Sequence, residues 1–120
     1  MSLILYIEDN TYNRENGMEI LELAGYEVIT AINGVDGVAL AIERVPDLII
    51  CDILMPKLDG YETIQQIKGN PKLAKIPFMF ATASAQKSEM QRGLDLGANA
   101  YIRKPFDGQE LLDTVKGLLV

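Results

Sequence analysis

Short apolar runs alternate with longer stretches of mixed character along the whole chain. Leu3 to Ile7 is apolar throughout, too short for a helix, and ends abruptly at Glu8-Asp9. Leu48 to Cys51 follows Pro46-Asp47, Phe78 to Thr82 follows Pro77, and Ala100 to Arg103 follows Gly97-Ala98-Asn99. Tyr26 to Ala31 alternates instead, setting Tyr26, Val28 and Ala31 against Glu27 and Thr30. It begins just after Gly25, a residue type that commonly ends helices. All five runs read as strands. The near-continuous apolar character of the first, third and fourth predicts burial on both faces, as parallel strands between helical layers require.

A hairpin would need only about two to five linking residues, whereas each stretch between these runs is long enough for a crossover helix. The last helix is the plainest. Asp107 is its expected N-cap, and Leu111, Val115 and Leu118 recur at helical spacing with Leu112 and Leu119 beside them. Tyr61, Ile64 and Ile67 mark the third helix, entered through Asp59-Gly60 and left through Gly69-Asn70-Pro71. The first is weaker, its apolar residues (Met18, Ile20, Leu21, Leu23, Ala24) gathered in its second half. No repeat, linker or low-complexity stretch interrupts the pattern. The reading is an α/β fold of five βα units, (βα)5, in one domain over residues 1–120, with a doubly wound parallel five-stranded sheet in a three-layer α/β/α arrangement.

Composition narrows the chemistry. Of 120 residues, 48% are hydrophobic and 23% charged, which is ordinary for a globular chain and excludes disorder or a fibre. Eleven Lys and Arg against 17 Asp and Glu give a net charge of −6, which argues against direct nucleic-acid binding. The longest charge-free run, Ile76 to Gln86, has 11 residues, short of the ~18 of a membrane span, so no membrane partner is expected. Met1-Ser2-Leu3 carries no basic region or cleavage site, and Cys51 is the lone cysteine; both favour a reducing, cytoplasmic setting. The chain has no histidine. That excludes a Ser-His-Asp or Cys-His pair, a histidine zinc site and a phosphohistidine on this chain. Any chemistry here is carboxylate chemistry first.

In an open parallel sheet, ligands bind beyond the carboxyl ends of the strands, where strand order reverses. The first strand delivers Glu8 and Asp9 to that edge, the third Asp52, the fourth Thr82 and the fifth Lys104-Pro105; the second delivers no charge. Carboxylates gathered there repel: a pair 4 Å apart at an effective dielectric of 20 costs about 4 kcal/mol. The cluster is tolerable if a carboxylate is protonated, a cation binds, or Lys104 reaches in. A hard divalent ion suits it, and Mg²⁺ in particular uses one or two carboxylates together with a phosphate oxygen. Lys104 offers a point charge and Thr82 a hydroxyl to phosphoryl oxygens. With neither histidine nor a thiol at that edge, the candidate nucleophile is a carboxylate, and aspartyl phosphate formation is one established solution.

These residues resemble the receiver domains of two-component response regulators. The match runs through Glu8-Asp9, Asp52, Met55-Pro56 with Asp59-Gly60, Thr82-Ala83 and Lys104-Pro105, and covers residues 3 to 120. The resemblance implies a flavodoxin-like strand order 2-1-3-4-5 and a phosphorylation switch. Asp52 would take a phosphoryl group from a phosphohistidine on a sensor histidine kinase or histidine phosphotransfer protein. Mg²⁺ would be held by Asp9, Asp52 and the Leu54 carbonyl, with Glu8 acting through water. The backbone at Ala83 would touch the phosphate, Lys104 would pair with it, and Thr82 would swing toward it. Tyr101 would turn into the vacated space and alter the surface around the fourth helix, fifth strand and fifth helix, a face that a second copy could also use. The site would hydrolyse its own acyl phosphate slowly. Lys104-Pro105 would be cis, and Asp59 and Gly60 structural. The Glu8-Asp9-Asn10-x-x-Asn13-Arg14 run resembles receivers that stand alone or are attached to kinases.

Each residue also has a plainer reading. Asp52 alone could cap a loop, Glu8-Asp9 could be a solvated turn, and Thr82 and Tyr101 could simply pack. Cys51 reads as a small buried side chain, and Lys57, Lys72, Lys75 and Lys87 as solvated charges. The acidic pair is Glu-Asp rather than Asp-Asp, and Leu54 and Ser84 occupy positions that tune dephosphorylation in this family. Three rival functions are weaker. A phosphohydrolase with an aspartyl nucleophile, of the haloacid-dehalogenase type, would carry a second acid where this chain has Leu54. A flavin-binding electron carrier would not place Glu8-Asp9-Asn10 beside the cofactor phosphate. A degenerate, phosphorylation-independent receiver would not keep Glu8, Asp9, Asp52, Thr82 and Lys104 together.

Overall fold

In the computed structural model, which describes residues 1–84 and 86–120, the four apolar runs and the alternating second one form one parallel sheet, and the stretches between them form helices. The order along the chain is β1 (Leu3–Ile7), α1 (Thr11–Leu23), β2 (Glu27–Ala31), α2 (Gly34–Arg44) and β3 (Leu48–Cys51). It continues with α3 (Gly60–Lys68), β4 (Phe78–Thr82), α4 (Lys87–Asp95), β5 (Ala100–Arg103) and α5 (Gly108–Leu118). Across the sheet the order is β2-β1-β3-β4-β5, all parallel, so β1 lies between β2 and β3. The polarity of strand order therefore reverses between β1 and β3, and their carboxyl ends share one edge.

Successive side chains on each strand feed opposite layers. Ile4 and Tyr6 of β1, Leu48 and Ile50 of β3 and Met79 and Ala81 of β4 pack with Leu21 of α1 and with Leu111 and Val115 of α5. Leu5, Ile7, Ile49, Cys51, Phe78 and Phe80 pack on the other face with Ala41 of α2 and with Tyr61, Ile64 and Ile67 of α3. β3 and β4 are buried at every position, as their unbroken apolar runs predict. Full burial of each large apolar side chain is worth about 1.5–3 kcal/mol over exposure, so the two layers lock the strand register.

Side-chain caps set the helix entrances. Asn10, Asn33, Asp59 and Asp107 each accept from a backbone N–H in the first turn of α1, α2, α3 and α5, and Asp59 with Glu62 forms a reciprocal capping box. At α4, Gln86 stands in the N-cap position with no such bond. Two expectations shift. α1, the weakest helix by pattern, is the longest at 13 residues. Its buried seam is Gly17 and Leu21, and Gly17 lies against the Tyr6 ring, so close packing replaces the apolar stripe. The second strand starts at Glu27 rather than Tyr26, because the Tyr26 N–H still bonds Leu21 O in the turn that leaves α1. That turn passes through Gly25 at φ 97°, a backbone region that glycine tolerates best. Among the described residues, no helix is long and apolar enough to cross a membrane.

Candidate functional site

The carboxyl ends of β1 and β3 bring Glu8, Asp9 and Asp52 together, with a carboxylate oxygen from each lying within 4.8 Å of the others. The two strands are hydrogen-bonded up to this edge, where the Asp52 N–H donates to Ile7 O. Glu8 is fully buried, Asp52 is 9% exposed, and Asp9 faces solvent. The cluster is therefore open on one side and closed beneath.

Lys104 enters from the end of β5. Its ammonium donates to Oδ2 of Asp52 at 3.1 Å and to Oε1 of Glu8. The Lys104 N–H bonds Thr82 O at 2.8 Å, which ties the lysine backbone to the end of β4, and the following peptide to Pro105 is cis. The second Asp52 oxygen accepts from the Ile53 N–H at 2.7 Å, and the second Glu8 oxygen from the Asn10 N–H at 3.1 Å. Burial pushes the Glu8 carboxyl above its ordinary range; the hydrogen bonds from Lys104 and Asn10 pull it back, and the Asp52 charge raises it further. Beneath the cluster, burial and the Glu8 and Asp52 charges raise the Tyr6 hydroxyl, which keeps its proton.

Counted ionised, three carboxylates and one ammonium sum to −3 + 1 = −2. All the donors are oxygens. That donor set and that residual charge fit a hard divalent cation such as Mg²⁺.

The loop after β3 is seated by Gly60, whose N–H bonds Ile53 O at 2.8 Å. A Cβ at that position would lie 2.3 Å from Asp52 O, so only glycine lets α3 approach the Asp52 backbone this closely. Leu54 is 77% exposed beside the opening, and Ala83 is exposed. Thr82 is buried, its Oγ1 accepting from the Ser84 N–H at 3.4 Å. Tyr101 is half-buried, and its hydroxyl donates to Ser84 O at 3.3 Å. Glu8, Asp9, Asp52 and Lys104 thus form one cluster, with Thr82 at the adjoining strand end. Tyr101 stands apart on β5 and is joined to Thr82 through Ser84.

One contributor was not assigned a role from sequence. Arg14, in the first turn of α1, folds back so that Nη1 donates to Glu8 O at 3.0 Å and Asp9 O at 3.4 Å, while Nη2 donates to Thr11 Oγ1 at 3.5 Å. Its spacing from Asn10, the cap of α1, was the available signal.

Residues 4–116 match the family model described as the response regulator receiver domain. The chain is similar to the DNA-binding dual master transcriptional regulator RpaA of Synechocystis sp., at 40% identity over 119 residues. Those residues make up 99% of this chain and 49% of that protein, so the chain spans about half the length of this relative. Among solved structures it is similar to the chemotaxis protein CheY4 of Vibrio cholerae, with a TM-score of 0.94, 30% identity and 99% of both chains covered. It is also similar to the receiver domain of the sensor histidine kinase PA1611 of Pseudomonas aeruginosa, solved with a magnesium ion coordinated in its active-site cleft. There the TM-score is 0.92 and the identity 30%, with 98% of this chain and 97% of that one covered.

Proposed function

Because the chain belongs to the response regulator receiver domain family, we propose that it is a phosphoryl switch in which Asp52 accepts the phosphoryl group. The observation that carries this reading is the Asp52 carboxylate, held between the Ile53 N–H and the Lys104 ammonium inside a three-carboxylate cluster. The phosphodonor is a phosphohistidine on a sensor kinase or a histidine phosphotransfer protein. As an Asp52 oxygen bonds to phosphorus, the donor's P–N bond breaks and the imidazole leaves. Glu8, Asp9, Asp52 and the Leu54 carbonyl would hold Mg²⁺, which when bound neutralises charge on the phosphoryl oxygens. Both Glu8 oxygens already accept hydrogen bonds, which suits a role through water.

The chain's own contribution is positioning and charge. The Ile53 N–H fixes the orientation of Asp52, and Lys104 offers its ammonium to the arriving oxygens. Ala83, next to Thr82, presents its backbone to the phosphate. Thr82 gives up its contact with the Ser84 N–H to reach the phosphoryl group, and Tyr101 leaves Ser84 O and turns inward. The face made by α4, β5 and α5 changes with it and carries the signal, to another protein or to a second copy. Water later removes the phosphoryl group slowly, so the chain is a phosphoacceptor and not an enzyme with a substrate of its own.

With Mg²⁺ and acetyl phosphate, the protein should gain one acid-stable, base-labile phosphoryl group by intact mass, and Asp52→Asn should gain none. Equal labelling of both would remove Asp52 as the acceptor.

A further inference from the structure

We propose that Arg14 is a positioning residue that holds the Glu8–Asp9 turn in the shape that binds the divalent cation. The inference rests on the Mg²⁺ reading above and adds to it a residue outside the carboxylate cluster. The Glu8 N–H still bonds Ala31 O at the end of β2 at 2.9 Å, but among the described residues no strand backbone donates to the carbonyls of Glu8 and Asp9. A single guanidinium serves both, at 3.0 and 3.4 Å, and reaches Thr11 Oγ1 at 3.5 Å. Its own place is set by α1, since the Arg14 N–H closes the first turn on Asn10 O at 2.9 Å. The same turn contains the Asn10 N–H that donates to the buried Glu8 carboxylate. Arg14 thereby couples the start of α1 to both acidic residues, each through its backbone.

The contact is a matter of shape more than charge. None of these Arg14 contacts is to a carboxylate, and the planar fork holds two targets at once, Nη1 on the two carbonyls and Nη2 on Thr11 Oγ1, a span that the single nitrogen of a lysine ammonium does not reproduce. Groups that orient metal ligands from outside commonly change affinity by 10–100-fold when removed.

The sign of the effect separates positioning from electrostatics. If Arg14 acted only by its charge, Arg14→Gln would tighten Mg²⁺ binding by relieving repulsion, and Arg14→Lys would leave it unchanged. Positioning predicts that both variants weaken it, by about tenfold. The full chain and both variants are titrated with magnesium chloride by calorimetry, and exchange of the Asn10 amide is followed by NMR in the metal-free proteins. Weaker Mg²⁺ binding and faster Asn10 exchange in Arg14→Lys, with its melting temperature kept, support the proposal. Wild-type affinity in Arg14→Lys, tighter binding in Arg14→Gln, or unaltered Asn10 exchange overturns it. If the wild type binds no Mg²⁺ while Asn10 exchange still rises in the variants, the metal reading fails and Arg14 keeps its hold on the turn. Should Arg14→Gln not fold, Arg14→Lys alone decides the matter.

Discussion

A carboxylate without solvent contact needs hydrogen-bond donors to stay ionised, and Glu8 has two, the Lys104 ammonium and the Asn10 N–H. Burial nevertheless outweighs them, and its pKa in the fold lies above the ordinary 4.5. The unfolded chain therefore releases this proton first as pH rises. The Glu8 contribution to stability is fully present below about pH 4.5 and is lost as pH climbs through the folded value. Urea unfolding in EDTA at stepped pH should show the wild type losing stability relative to Glu8→Gln over that interval; parallel pH profiles would clear Glu8 of the effect. Which residues meet at the site was largely legible, because Glu8, Asp9, Asp52, Thr82 and Lys104 fall at strand ends that a parallel sheet must bring to one edge. Arg14 was not, because its role runs through backbone carbonyls and leaves no charge-pairing pattern in the sequence.

Among the helices, α4 is the least anchored. Gly93 is its buried residue, set where a Cβ would lie 2.9 Å from the Phe80 ring, and its first residue follows Gln86 without a side-chain cap. Its other ties are the Tyr61 hydroxyl on Glu89 O at 3.0 Å and the Arg92 guanidinium 4.1 Å over the Tyr61 ring. Gln86 already has the extended backbone that an N-cap adopts, so Gln86→Asp should stabilise the protein by about 0.5–1 kcal/mol. It should also slow amide exchange in the first turn of α4. An unchanged unfolding midpoint and unchanged exchange would count against the missing cap as the weakness. Strands were read well because four of the five follow Pro, Gly or Asn punctuation within two residues, and all but β2 run apolar to a polar stop. The extent of α1 was not, since its packing rests on Gly17 against Tyr6, which an apolar count does not register.

At the scale of the molecule, the site and the α4-β5-α5 face are joined by a short path: Lys104 N to Thr82 O, Thr82 Oγ1 to the Ser84 N–H, and Ser84 O to the Tyr101 hydroxyl. With Mg²⁺ and beryllofluoride, wild-type NMR spectra should shift at Thr82, Tyr101 and along α4. Lys104→Ala should bind Mg²⁺ and lose the distant shifts; their persistence would take Lys104 out of the relay. The parallel order of the sheet follows from crossover-length connections, but which strand takes the centre is not written in any single strand, and came from family resemblance. The place of β1 inside the sheet has a further bearing on how the molecule is made. Since β1 pairs with both β2 and β3, the first strand of this domain to be made keeps one edge bare until residues 48–51 emerge. About two fifths of the domain must be synthesised before its oldest strand is closed on both sides, and a nascent chain stalled short of that length would present Leu3–Ile7 to chaperones.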